Sequence, residues 1–114
     1  MAIINSTVPS KSYDGLNCIG YEQILVSNTV ATLTFSERKM SKTAIVVCEA
    51  NVNTPPNDIA VRFREDSNNP APSIGMPLNN FGIYEIRQGT LVTDSFKAIS
   101  ENGQTQILHV QYYA

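Results

Sequence analysis

Four of the five residues from Arg62 to Asp66, Arg-Phe-Arg-Glu-Asp, are charged, the densest charge in the chain. Arginine beside carboxylate is what an anion clamp or an acid–base site requires. The spacing argues for something else. In the segment 59–65, Val61 and Phe63 alternate with Arg62 and Arg64. That is the period of an extended strand, so the two arginines share a face by geometry alone. Asp66-Ser67-Asn68-Asn69-Pro70 then reads as a turn, because Asx side chains cap their own backbone and proline sets φ. The expectation is a strand with a charged, solvated outer face entering a long loop. Glu65 and Asp66 are expected to form surface ion pairs near Arg64.

The remaining chemistry-bearing residues assemble into nothing stronger. The one histidine, His109, alternates with Leu108 and Val110 and reads as a surface or cross-strand residue. Nucleophilic catalysis needs a base within reach of its nucleophile, and no nucleophile elbow, phosphate loop or dinucleotide fingerprint is present. Asp58, Glu65, Asp66, Glu85, Asp94 and Glu101 have no spacing that marks an acid–base pair. Asp58, Glu65 and Asp66 also lack the order of a calcium loop. Cys18 and Cys48 form no CxxC pair and have no Cys/His neighbours. Cys48 lies in the apolar run 43–50 and reads as a small buried hydrophobe. A Cys18–Cys48 disulfide is the alternative, but without a secretory signal free thiols are expected. No catalytic residue, cofactor or metal is expected.

Short strands separated by turn residues must position these groups. Segment 21–26 precedes a turn at Ser27-Asn28. Segment 29–35 sets Ala31, Leu33 and Phe35 against Thr32 and Thr34. Segment 36–42 is a polar connection whose Arg38, Lys39 and Lys42 read as a solvated turn. Segment 43–50 is nearly continuously apolar, so a central strand covered on both faces is expected. Pro55-Pro56 makes 51–58 a loop, since paired prolines cannot continue a ladder. Segments 82–87 and 95–100 read as strands, 88–90 as a turn and 91–94 as a short strand or bridge. Asn102-Gly103 marks a hairpin. Segment 105–113 closes the domain with Leu108, Val110 and Tyr112 facing inward.

This pattern gives about seven or eight short strands and no convincing helix, the signature of an all-β antiparallel β-sandwich or jelly roll. Residues 1–20 show no sustained periodicity yet carry Ile3, Ile4, Val8, Tyr13, Leu16 and Ile19, too many apolar groups for a solvated tail. They read as an extended N-terminal arm (1–20) ahead of the sandwich domain (21–114).

Bulk properties narrow the partners. The 114 residues suit one domain, with 16% charged residues against a usual quarter or so. A formal net charge of −2 without a basic face argues against nucleic acid. No apolar run approaches the ~18 residues of a membrane span. The Asn5-Ser6-Thr7 sequon is read as chance without a secretory signal.

The order of several pieces resembles small virion proteins of tailed bacteriophages. These pieces are GYEQILVSNTVATLTF, TAIVVCEANV, AVRFREDSNNPAPSIGMPL and the closing SFKAISENGQTQILHVQYY. The resemblance covers about 20 to 113 and implies a small jelly-roll or β-sandwich module. It also implies a non-enzymatic capsid decoration (cement) protein on the outside of the major capsid lattice, in the virion, assembled in the host cytoplasm. The implied partners are the major capsid protein and further copies of the chain, as a dimer or trimer. Candidate contacts are the arm residues Ile3, Ile4, Val8 and Tyr13 and the loop prolines Pro55, Pro56, Pro70 and Pro72. The alternative is a carbohydrate- or receptor-binding module of a tail or head fibre, with Tyr84, Tyr112 and Tyr113 as stacking platforms.

Overall fold

Eight strands form two four-stranded antiparallel sheets in the computed structural model, which describes residues 15–114. The strands are β1 (Cys18–Val26), β2 (Ala31–Thr32), β3 (Thr43–Glu49), β4 (Ile59–Arg64), β5 (Met76–Asn79), β6 (Ile83–Arg87), β7 (Lys97–Ser100) and β8 (Gln106–Tyr113). One sheet has the order β1-β8-β3-β6 and the other β2-β7-β4-β5. The first half of the chain thus pairs with the second: β1 with β8, β2 with β7, β3 with β6 and β4 with β5. This long hairpin rolls up so that β8 also meets β3 and β7 meets β4. That order is a jelly roll, the architecture expected.

Alternation along each strand builds the core. Ile24 and Val26, Leu108, Val110 and Tyr112, Ala44, Val46 and Cys48, and Ile86 turn inward from the first sheet. Val61, Phe63, Leu78 and Ala98 meet them from the second. Phe63 stacks on Phe96 with ring centroids 5.3 Å apart. Burying each large apolar side chain contributes about 1.5–3 kcal/mol, so these rows supply most of the driving force.

Several expectations need correction. β1 begins at Cys18, inside the segment assigned to the arm. Segment 29–35 keeps its alternation, with Leu33 buried and Thr32 and Thr34 exposed, but only Ala31–Thr32 enters a ladder. The backbone N–H groups of Thr34 and Phe35 donate instead to the Glu22 carboxylate. β3 is an interior strand, yet Ile45 and Val47 on its outer side are only half-buried, so just one face is covered. β5 lies within the stretch expected to be a long loop after Asp66; it is an edge strand, where its Pro77 is tolerated.

Residues 88–94 are neither turn nor strand. Gln88–Thr93 forms a six-residue helix, α1, that buries Leu91. Its β-branched threonines and valine favour strand, but tertiary contacts prevail. Asp94 ends the helix in the left-handed conformation, φ 57°, which an aspartate tolerates. Arg38 then clamps the Asp94 carboxylate with Nε–Oδ1 and Nη2–Oδ2 bonds of 2.9 and 3.0 Å. Of the expected solvated turn, Lys39 and Lys42 are exposed, whereas Arg38 joins α1 to the Arg38–Met40 helical turn.

Candidate functional site

The charged run at 62–66 is wired into the fold. Arg62 and Arg64 share the outer face of β4 as expected, but this face is covered rather than solvated. Residues 65–75 fold back across it. Arg62 donates from Nε to Glu101 at 3.0 Å and from Nη1 to the Gly75 carbonyl at 3.0 Å. Lys97 Nζ donates to the Ser67 carbonyl at 2.9 Å. The Ser73 N–H donates to Glu101 at 2.9 Å. Ile99, on the same outer face beside Arg62, is consequently only 8% exposed.

Arg64 pairs with Asp66, as expected of a surface ion pair, and this bond pulls the Asp66 carboxyl down to about 2. Glu65 does not join Arg64. Its carboxylate accepts from the Tyr84 and Thr90 hydroxyls. Burial first, then the Glu65 bond, pushes the Tyr84 phenol up to about 12. Glu65 lines an open cleft of about 410 Å³ with Tyr84, Glu85, Arg87 and Thr90. Its two hydroxyl donors orient the carboxylate towards the protein rather than towards a ligand.

The other sheet leaves its outer face bare. Across β1, β8, β3 and β6 the register sets Tyr21, Gln111, Ile45 and Glu85 in one row. Gln23, His109, Val47 and Ile83 form the next row, and Leu25, Ile107 and Glu49 a third. Leu25 is 64% exposed and Tyr21 53%, large values for apolar side chains in regular strands. No loop among the described residues is bonded across this face as 65–75 is across the other.

A polar chain crosses its centre. Gln23 Nε2 donates to the Tyr21 hydroxyl at 2.9 Å. The Tyr21 hydroxyl lies 2.7 Å from His109 Nδ1, and His109 Nε2 lies 2.7 Å from the Glu49 carboxylate. A neutral His109 protonated at Nε2 satisfies both contacts, accepting from Tyr21 and donating to Glu49. The Tyr21 and His109 rings are near-parallel, 18° between planes, with centroids 6.0 Å apart. His109 is therefore a cross-strand residue, as its alternation indicated. The dimple between Tyr21, Ile45, Val47, His109 and Gln111 holds only about 60 Å³. That is far below the roughly 300 Å³ at which small-molecule pockets begin. The arrangement suits a broad, flat partner surface.

The remaining candidates separate. Ile3, Ile4, Val8 and Tyr13 lie outside the described residues. Pro55, Pro56 and Pro72 are exposed, while Pro70 is buried beneath its loop and presents no contact surface. Of the proposed stacking platforms, Tyr112 is wholly buried, donating to Glu22, and Tyr84 faces inward against Phe63, centroids 4.6 Å apart. Only Tyr113 reaches the outer face. Tyr21, which the sequence reading passed over, is the exposed ring of this face. Its signal was present in the alternation Tyr21, Gln23, Leu25.

Cys18 and Cys48 are free thiols, Cys48 buried. Among the described residues no three His, Cys, Asp or Glu side chains are grouped to hold a metal ion. No described helix is long and apolar enough to cross a membrane. No known family model, curated protein or solved structure matches the chain.

Proposed function

We propose that this chain is a non-enzymatic structural virion protein of the capsid-decoration type, which seats the bare face of its β1-β8-β3-β6 sheet on the major capsid protein. The asymmetry of the two outer faces carries the reading. One is sealed by residues 65–75, with every charge bonded internally. The other displays Tyr21, Leu25, Ile45, Val47 and Ile83 around hydrogen-bonding Gln23, His109 and Gln111. An apolar surface interspersed with planar polar groups is the composition of a protein interface. A decoration protein performs no reaction. It adds binding free energy between shell subunits, and many weakly held copies on a symmetric lattice act together. A rigid sandwich held by long-range pairing suits that load. Exposed Pro55, Pro56 and Pro72 at the loops are further contacts of this reading, as are the arm residues.

The test is copy number, measured by quantitative mass spectrometry of purified virions against the major capsid protein. A ratio near one to one, or a simple fraction set by capsid symmetry, is expected. Absence from the particle overturns the reading, and a handful of copies moves the protein to a tail or fibre.

A second reading, a carbohydrate- or receptor-binding module, is favoured by the Tyr21–His109 ring pair flanked by the Gln23 and Gln111 amides. Aromatic faces beside amides are how sugar rings are held. A glycan array in which binding disappears with Tyr21→Ala supports it, and an array without hits removes it.

A further inference from the structure

Four strands end the two sheets, and three of those edges are blunted. β2 is two residues long. β5 is four residues long and carries Pro77. β6 has five residues, two of them charged, Glu85 and Arg87. β1 differs. It has nine residues, Cys-Ile-Gly-Tyr-Glu-Gln-Ile-Leu-Val, and among the described residues it pairs with β8 alone. Its irregularity is confined to Cys18–Gly20, and from Tyr21 to Val26 the register with β8 is unbroken. It contains no proline or lysine, and its single charge, Glu22, points inward and is bonded to Thr34, Phe35 and Tyr112. Natural sheets blunt long edges because unpaired backbone groups template pairing with another chain. Here that blunting is missing on a strand that also carries three exposed large apolar side chains, Ile19 (36% exposed), Tyr21 and Leu25.

We infer that β1 pairs antiparallel with β1 of a second copy across a two-fold axis at Gln23, joining the two β1-β8-β3-β6 sheets into one eight-stranded sheet. The residues select this register. Centring on Gln23 sets Tyr21 opposite Leu25 of the second copy, and Leu25 opposite its Tyr21. These are aromatic–aliphatic cross-strand pairs, which stabilise antiparallel sheets. Glu22 then faces Ile24. Moving the axis one residue, onto Glu22, would put the two Glu22 carboxylates directly opposite each other, which is destabilising. The pairing is isologous and closed, so it stops at a dimer. It also doubles the bare face and leaves its centre, around His109, open.

The inference does not depend on what that face binds, and it is tested on the purified full-length chain in solution. Light scattering behind size exclusion, over a range of concentrations, is expected to give twice the chain mass of 12.5 kDa. Tyr21→Lys/Leu25→Lys changes two exposed side chains, so circular dichroism is expected to stay native while the mass falls to that of a monomer. Gln23→Cys in a Cys18→Ser background is expected to form an intermolecular disulfide under mild oxidation. Directly opposed strand residues lie about 4.5–5.5 Å apart at Cα, within disulfide range. Gln111→Cys in the same background is expected to stay reduced, since its two copies sit at least roughly 14 Å apart at ~4.8 Å per strand. A monomer at every concentration, a dimer that survives the double lysine variant, or crosslinking at position 111 instead of 23 would each overturn the inference.

Discussion

Tyr112, wholly buried in the penultimate position of the last full strand, donates its phenolic proton to Glu22, 90 residues earlier in the first. The same carboxylate accepts from the Thr34 backbone at 3.1 Å, the Phe35 backbone at 3.0 Å and the Thr34 hydroxyl. One side chain thus joins β1, β8 and the connection after β2 that returns the chain from the second sheet to the first. Tyr112→Phe is expected to cost about 1–3 kcal/mol, the penalty for leaving a partly buried charged acceptor without a donor. Urea denaturation with an unchanged slope would measure it, and a loss below a few tenths of a kcal/mol would mean that water replaces the phenol.

Stability should fall in acid, partly through this residue. Burial alone would raise the Glu22 carboxyl, but the bonds from Thr34, Tyr112 and Phe35 outweigh it and hold it below its ordinary value of 4.5. The Arg38 bond likewise lowers Asp94, and the Ser73 N–H, then Arg62, lowers Glu101. Each group binds its proton less tightly when folded. Their contribution is therefore complete above the unfolded values of 3.8 and 4.5 and disappears as pH falls through the lower folded ones. The melting temperature is expected to hold at neutral pH and drop below about pH 4.5. Glu22→Gln is expected to lower it at pH 7 and to narrow the gap to wild type as the pH approaches 3.

Gly20 is required by Phe35. A Cβ at position 20 would lie 2.2 Å from Phe35 Cζ, and that ring is stacked on Tyr112 with centroids 4.7 Å apart. Gly20→Ala is expected to destabilise by about 1–3 kcal/mol, the usual cost of overpacking. Adding Phe35→Leu should recover part of the loss in thermal melts. Simple additivity of the two changes would show that they do not meet.

Arg62 seals the covered face. Arg62→Ala removes the bonds to Glu101 and the Gly75 carbonyl that hold the returning loop. Hydrogen exchange is expected to quicken across residues 65–75 while β3 and β8 keep their protection. Uniform loss of protection would mean that the loop and the core open together.

The two cysteines should differ in reactivity. Burial, then the nearby Glu49 charge, pushes the Cys48 thiol up to about 11, and its side chain is buried, whereas Cys18 is exposed. Titration of the native protein with a thiol reagent is expected to modify Cys18 alone, and both in denaturant. Rapid modification of two thiols without denaturant would show that β3 opens readily.

Local alternation was enough to say which side of each strand turns inward. Leu108, Val110 and Tyr112, or Val61 and Phe63, needed only a period of two and the hydrophobic effect, both local properties. The all-β class, the loop prolines and the buried thiol of Cys48 followed from the same composition and alternation. What lies opposite each strand was not local. Nothing near Arg62 in sequence announces Glu101, nor anything near Glu22 that Tyr112 would meet it. The six residues of α1 also favour strand until Arg38 and the buried Leu91 hold them as a helix. The candidate face divided the same way. The alternation Tyr21, Gln23, Leu25 was legible, but its exposure was not. Whether an outer row meets solvent or a returning loop depends on where residues 65–75 travel, and only the rolled-up hairpin decides that.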